Sequence, residues 1–410
     1  MPEGARRFPD GFLWGCATAA HQIEGGNRAN DWWRWERRGG IVTGDSADVA
    51  CDAWHRYAED AALLAELHNN AHRLSIEWSR VEPSPGEFDA AAVEHYRDVL
   101  ADLRARGMTP MVTLHHFSSP LWFVDRGGWA AAGAPDAWLP FVRHVAERLG
   151  ELAGMWCTIN EPNIYAYQGW MTGEFPPGRK GDVAGLWRVL ANLRRAHLRA
   201  LLELRRLTPG VPVGLSHHKW MMVPERARRP DRAAAGLAQA VMDRWPAGAR
   251  LERVADAPAD FIGLNHYTGS LVRFDPKLPG EGFVRRTNPA GLPVTDFGWA
   301  LNPRWIRIAL RELARLGKPI YVTESGIAAR DDAVREAFLR AILAEVWEAI
   351  GEGADVRGYF HWTSVDNFEW AQGYAMRFGL IGVDRDTQRR TIKPSGRLFG
   401  RIAEANALEA

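Results

Sequence analysis

Eight short apolar runs, rich in β-branched and aromatic residues, recur along the chain: FLWGCATAA (12–20), HRLSIEW (72–78), PMVTLHH (110–116), MWCTINE (155–161), VPVGLSHH (211–218), DFIGLNHY (260–267), PIYVTESG (319–326) and VRGYFHWTSVD (356–366). Between several of them the apolar positions return every three to four residues, as in YAEDAALLAELH (57–68), VEHYRDVLADLRARG (93–107), LWRVLANLRRAHLRALLELRRL (186–207) and EAFLRAILAEVWEAIGEG (336–353). These read as helices with one apolar face. Gly107 and Gly353 stand where left-handed helix C-caps are expected. The strand-like runs are apolar enough to be covered on both faces. Such strands alternating with helices predict an α/β fold, and eight units predict a single (β/α)8 TIM barrel over residues 1–410, with its active site at the C-terminal ends of the strands. A doubly wound open sheet competes, but it wants a Gly-rich phosphate turn after an early strand, and none is found. No linker-like Pro/Ser tract divides the chain. The irregular piece at about 268–300 reads as one extended loop after the sixth strand.

Composition narrows the partners. With 51 Lys and Arg against 50 Asp and Glu, the net charge of +1 gives no reason to expect nucleic acid or an anionic membrane. The cluster Arg226, Arg228, Arg229 and Arg232 is interleaved with other residue types and reads as a solvated helix face. Cys16, Cys51 and Cys157 form no CxxC pair and no disulfide framework. The start, MPEGARRFPDGFLWG, has no signal-peptide pattern, and no stretch is long and apolar enough for a membrane span, so a cytoplasmic location is expected. Nineteen tryptophans are many for this length. An indole is a flat apolar face with one N–H donor, suited to a core and to stacking on a sugar.

The barrel expectation gives the strand ends their meaning. They carry Gln22 and Glu24, Arg73, His116, Asn160 and Glu161, Asn265 and Tyr267, Glu324, and Trp362. One or two polar strand ends mean little, whereas a ring of them at one mouth points to chemistry. Glu161 ends the fourth strand and Glu324 the seventh, on roughly opposite sides of that mouth. Two carboxyls flanking one bond are the apparatus of glycoside hydrolysis, retaining or inverting according to their separation. Arg73 and Tyr267, placed near Glu324, would keep it ionised as a nucleophile must be. Glu161 has no cation in its own segment, and a less compensated carboxyl suits a general acid.

Four separated motifs, FLWGCATAAHQIEGG (12–26), TINEP (158–162), YVTESG (321–326) and DNFEWAQGYAMRFGL (366–380), resemble glycoside hydrolase family 1, the β-glucosidase/β-glycosidase family. The likeness runs from about residue 8 to about 395. It implies a metal-free and cofactor-free retaining β-glycosidase of exo action, with β-glucosidase activity foremost and β-galactosidase or β-fucosidase activity at its side. Glu161 would then be the acid/base and Glu324 the nucleophile, supported by Arg73 and Tyr267. Asn160 would hold the sugar 2-OH, and Gln22 and His116 the 3-OH and 4-OH. Trp362 would floor the glycone site, Glu369 and Trp370 would bind the 4- and 6-hydroxyls, and Phe378 would close the pocket near the 6-position. Asn265 belongs to the same substrate-binding ring. Relatives acting on 6-phosphorylated sugars replace the acidic position held here by Glu369, where an anion would repel phosphate. Lys393 lies downstream without an anion-binding cluster around it. The chain departs from the family pattern at Phe117, Ser325, His21 and Asn163, which bears on specificity.

Other readings stand beside this one: a 6-phospho-β-glycosidase, a transglycosylase, or a non-catalytic sugar-binding protein on the same scaffold. The paired histidines at 115–116 and 217–218 could suggest a metal, yet adjacent strand residues point to opposite faces, so His115 and His217 are expected between barrel and helices. GGNRANDWWRWERRGG (25–40) mixes aromatic and basic residues as single-stranded nucleic acid sites do, but it directly follows QIEGG and reads as a border of the sugar pocket. The expected partner is a small β-glycoside or oligosaccharide; the sequence leaves self-association open.

Overall fold

The strands are short and mostly covered: Ala71–Ser75 and Met155–Asn160, for example, are buried at every position, whereas Val356–Trp362 exposes Arg357. A strand apolar on both faces needs neighbours on both sides and helices outside, and a closed parallel barrel supplies both. The computed structural model, which describes residues 5–245, 249–250, 259–278 and 283–409, has this architecture. The barrel strands are β1 (Leu13–Ala17), β2 (Ala71–Ser75), β3 (Thr109–Thr113), β4 (Met155–Asn160), β5 (Val213–His218), β6 (Phe261–Asn265), β7 (Ile320–Ser325) and β8 (Val356–Trp362). They pair in sequence order, all parallel, and β8 closes on β1.

One principal helix follows each strand: α1 (Ala53–Glu66), α2 (Ala90–Ala105), α3 (Ala134–Leu149), α4 (Val183–Leu207), α5 (Arg229–Asp243), α6 (Arg304–Ala314), α7 (Asp332–Gly351) and α8 (Pro394–Ala405). Their starts are local chemistry. Asp89, Asp182 and Asp331 are N-caps whose carboxylates accept the free N–H groups of the first turns of α2, α4 and α7. Gly107 and Gly353 end α2 and α7 with φ of 80° and 97°, the left-handed turn that the sequence places there. In α3, Pro135 sits in the first turn and Pro140 interrupts the interior, which blurs its helical signature. The cluster containing Arg226 leads into α5, where Arg226 pairs with Asp231 at 2.6 Å.

The segment 268–300 is more ordered than a loop. Gly269–Phe274 pairs in parallel with Met221–Pro224 and antiparallel with Val284–Thr287, forming a small three-stranded sheet beside the barrel mouth. At the opposite end, Arg6–Arg7 pairs with Ala407–Leu408.

Register delivers the functional side chains. Asn265 lies opposite His218 of β5 on one side and Glu324 of β7 on the other. The ladder irregularities between Cys157 and Asn160, between Leu264 and Asn265, and between Val322 and Ser325 fall at the C-terminal ends, while a fourth, between Ile320 and Tyr321, lies at the start of β7. Such bulges re-aim the side chains beside them. Three residues at this rim, Phe117, Glu161 and Trp370, hold φ of 68°, 40° and 47°. The same region is held elsewhere, by Ala50, His68 and Asn406 for example; at the rim it turns the chain beside the strand ends.

Gly326, just past β7, shows how tight the rim is: a Cβ there would lie 2.1 Å from the carbonyl oxygen of Trp362. Backbone cannot swing aside as a side-chain tip does. G326A should therefore lower stability by about 1–3 kcal/mol and depress turnover, because relief displaces Trp362. An unchanged Tm, read by thermal denaturation, would contradict this.

Candidate active site

The strand ends converge on one cleft of about 770 Å³, open mouth included. Its walls include His116, Asn160, Glu161, Tyr267, Glu324, Trp362, Glu369, Trp370 and Phe378. Gln22, Arg73 and Asn265 stand behind that wall, fully buried. Glu24, also at a strand end, turns away: its carboxylate accepts from Arg80 at 2.8 Å and from Tyr96 at 2.7 Å. It faces a separate hollow of about 630 Å³ between β1, β2, α1 and α2, which none of the predicted site residues lines.

One hydrogen-bonded chain joins the two candidate carboxylates. Arg73 Nη1 donates to Glu324 Oε1 at 2.5 Å and Nη2 donates to Asn160 Oδ1 at 2.6 Å. Asn265 Nδ2 donates to that Asn160 oxygen at 3.0 Å and to Glu161 Oε1 at 2.8 Å. The Asn265 Oδ1 accepts from Thr323 at 2.7 Å. Asn265, expected as a sugar contact, therefore has both ends of its amide committed to protein and holds Glu161 from behind. The Asn160 amide is oriented by Arg73, so its Nδ2 donates to His116 Nε2 at 3.0 Å and His116 carries its proton on Nδ1. Burial, then the Arg73 charge, keep His116 far below its ordinary value and hence neutral.

Tyr267 donates its hydroxyl to Glu324 Oε2 at 2.6 Å. Burial, reinforced by the Glu324 charge, holds that phenol well above its ordinary value, so it remains a donor. Both expected neighbours of Glu324 are thus in contact with it. The electrostatic outcome differs from the sequence-based expectation of a carboxyl simply held low. Burial pushes Glu324 up, Arg73 opposes this, the Glu161 charge adds to it, and the net value is about 7. Desolvation of the barrel floor was the contribution that residue neighbours alone do not reveal.

The inner end of the cleft is aromatic and amide-rich. Gln22 Nε2 donates to the Phe368 carbonyl at 2.8 Å and to Glu369 Oε2 at 3.3 Å, and its Oε1 is buried without a partner among the described residues. Trp362 Nε1 reaches Glu369 Oε2 at 3.5 Å. Burial pushes Glu369 up, to about 8, with Trp362 opposing and the Glu324 charge adding. Repulsion of a phosphate by a Glu369 anion is accordingly weak near neutrality. Lys393 offers no free cation for a phosphate: it donates to Asp366 and to the Gly379 carbonyl, at 2.8 and 2.9 Å.

Several lining residues were not picked out from the sequence. His218 Nδ1 lies 2.9 Å from Glu161 Oε1. Trp220, Phe297 and Trp299 form an aromatic wall at the outer end, with Phe297 and Trp299 stacked at 4.3 Å. Two of these come from the segment taken for a plain loop, and the tryptophan excess was their only sequence signal. The stretch 25–40 does not line the cleft itself; its Trp32, fully buried, packs behind the lining residue Trp370 at 4.7 Å. The histidine pairs split as strand geometry requires, His115 accepting from Trp129 at 3.0 Å on the outside of the barrel while His116 faces the cleft.

The departures find structural roles. His21 accepts from Asn30 at Nδ1, at 3.0 Å, and its Nε2 meets Glu36 at 2.9 Å behind Trp370. Asn163 donates to the His218 carbonyl at 2.9 Å. Phe117 packs on Trp370 and Phe175 at 5.2 and 5.3 Å. Ser325 Oγ is buried without a partner among the described residues. No described helix is long and apolar enough to cross a membrane.

Comparison with known proteins points the same way as the geometry. The family model described as glycosyl hydrolase family 1 matches residues 5–252 and 248–408. Beta-glucosidase A of Thermotoga maritima is 33% identical, covering 98% of this chain and 99% of its own. Among solved structures, the beta-glycosidase from Pyrococcus horikoshii superposes with a TM-score of 0.90 at 36% identity, over 99% of this chain and 97% of that one. The T. maritima beta-glucosidase in complex with glucoimidazole gives a TM-score of 0.92 at 31% identity, over 98% and 100%.

The buried Glu369 carries a stability signature. In the unfolded chain its carboxyl titrates near the ordinary 4.5, and in the folded protein near 8. Its favourable contribution is complete below the lower value and is lost as pH rises through the upper one. E369Q has no charge to bury, so its Tm relative to the unsubstituted protein should rise steadily between about pH 5 and pH 8 and then level off. A difference independent of pH would refute the assignment of a protonated Glu369.

Proposed function

The chain belongs to glycosyl hydrolase family 1, and from that premise we propose that it is a retaining, exo-acting β-glucosidase working by double displacement through Glu324 and Glu161. One observation carries the reading: both carboxyls line a single cleft and are tied together through Arg73, Asn160 and Asn265.

In the first step Glu324 attacks the anomeric carbon while Glu161 gives its proton to the departing glycosidic oxygen. The C–O bond to the aglycone breaks as the ester bond to Glu324 forms. In the second step Glu161 takes a proton from water, whose oxygen displaces Glu324, so the β configuration is restored. With the proton on the acid partner their mutual repulsion is gone, and Arg73 and Tyr267 keep Glu324 as the carboxylate that attacks. Glu161 is held by Asn265 on Oε1, which leaves Oε2 for the bond.

The inner end suits one terminal sugar. Trp362 and Trp370 supply stacking faces, and Gln22, His116, Asn160 and Glu369 supply hydroxyl partners, with Phe378 closing the 6-position side. Glucose is favoured because the T. maritima relatives named above are β-glucosidases, with β-galactosides and β-fucosides as lesser substrates. A cytoplasmic location fits three cysteines that are free and buried.

The test is turnover of 4-nitrophenyl β-glucoside with product stereochemistry followed by NMR. E324A should lose activity by many orders of magnitude, and added azide should restore product as the inverted α-glycosyl azide. A retained azide product from E324A would remove it from the nucleophile role. E161A should slow alkyl glucosides about 10²–10⁴-fold and activated dinitrophenyl glucosides far less. Equal slowing of both would remove Glu161 from the acid role. Binding without turnover would mark a lectin, and elongated products at high sugar concentration a transglycosylase.

A further inference from the structure

His218 has a geometry that the double-displacement scheme leaves unused. It ends β5, is buried, and shares Glu161 Oε1 with Asn265 at 2.9 Å. Its ring is held between two aromatic neighbours, Tyr267 at 5.9 Å and 18° and Trp220 at 6.1 Å and 26°. Its backbone is pinned by Asn163. Its other nitrogen, Nε2, is buried with no partner among the described residues.

The tautomer follows from these contacts. Glu161 must be a carboxylate between the two chemical steps. A lone pair on Nδ1 would then face an oxygen lone pair, while an N–H on Nε2 would be buried with no acceptor. The proton therefore sits on Nδ1, which donates to Oε1. Among the described residues Glu161 Oε2 has no protein hydrogen bond, so one oxygen is held and the other is free to exchange a proton.

We propose that His218 is a positioning residue for the acid/base: its Nδ1–H holds Glu161 Oε1, presents Oε2 to the glycosidic oxygen, and strengthens as Glu161 becomes a carboxylate. The inference rests on the β-glycosidase reading and adds to it a residue whose hydrogen bond gains strength in the charged state of the acid. A donor that binds the carboxylate more tightly than the carboxylic acid lowers the barrier to proton release in the first step. The second step recovers the proton from water onto Oε2, and Nδ1 never gives up its own.

The other charged or titratable groups around His218 are placed for different tasks. On its own strand His217 is held neutral by burial, then by the Lys219 charge. Lys219 is engaged by Asp243 and Glu312, each at 2.8 Å. Beyond β6, His266 Nδ1 donates to the Lys219 carbonyl at 2.8 Å, and Tyr267 turns its hydroxyl to Glu324. From β4 the group facing His218 is Glu161 itself.

Two substitutions separate the N–H from the ring. H218N keeps a donor at the Nδ1 position without the ring; H218F keeps the stacked ring without the donor. H218F should hydrolyse alkyl β-glucosides about tenfold more slowly or worse, leave dinitrophenyl β-glucoside much less affected, and move the high-pH limb of kcat/KM upward by about one pH unit. H218N should keep the limb near its original position. If H218F does not fold, H218A serves for the same comparison. A limb that stays put in the donor-free variant, or equal slowing of both substrate types, would overturn the proposal while leaving the glycosidase reading intact. An unsubstituted protein without turnover would overturn both.

Discussion

The guanidinium of Arg73 sits at the centre of the barrel with no exposure to solvent, and much of the mouth is arranged around it. A buried cation is tolerated only when its donors are all engaged. Here Nε donates to Thr113 at 3.2 Å, Nη1 to the Thr323 carbonyl and Glu324, and Nη2 to Asn160 and, weakly, to Cys157. The donor comes from β2 and the acceptors from β3, β4 and β7. Removing either member of the Arg73–Glu324 pair would leave a buried charge uncompensated, at a cost of about 3–5 kcal/mol. The same contact that stabilises the closed barrel therefore fixes where the nucleophile candidate points and which way the Asn160 amide faces.

Around this one cation the cleft gathers Glu161, Glu324 and Glu369. Three carboxyls against a single guanidinium cannot all ionise in a desolvated site, and burial accordingly raises Glu324 and Glu369. The mouth thus stores protons. A retaining glycosidase needs such a store, because one carboxyl must be charged when the other is not. Further donors complete the arrangement: the Tyr267 phenol, the Asn265 amide and the His218 ring each touch a carboxylate oxygen.

Shape is handled by a different set of residues. The inner end is enclosed by Trp362, Trp370 and Phe378, and the outer wall by Trp220, Phe297 and Trp299. The inner set comes from β8 and the segment just after it; in the outer set Trp220 lies just beyond β5, and Phe297 and Trp299 lie in the segment that follows the small sheet. Loops vary more easily than barrel strands, so the barrel scaffold fixes the shape of the outer wall less than that of the inner end. Phe117 and Phe175 continue that apolar surface across the cleft, where a residue with a hydrogen-bonding edge would have made it more polar.

The barrel was legible in the sequence because its signals are local. Apolar runs of strand length, helices with one apolar face, Asp caps and the glycines at 107 and 353 each act within a few residues of themselves. Glu161 and Glu324 were legible for a related reason: a strand end in a parallel barrel can face only one mouth, so position along the chain implies position in space. The strands within 268–300 were not legible: Gly269–Phe274 takes one of its two partners, Met221–Pro224, from much earlier in the chain, where only the fold supplies it. His218 looked like half of a histidine pair, and Asn265 looked like a sugar contact. Their tasks depend on register, which set them beside Glu161. The upward shift of Glu324 despite Arg73 was likewise hidden, because desolvation depends on everything that surrounds a group in three dimensions. The sequence by itself determined which groups are delivered to the mouth; tertiary structure decided which atoms touch and how dry they are, since hydrogen bonds and solvation act over a few ångströms between residues far apart in the chain.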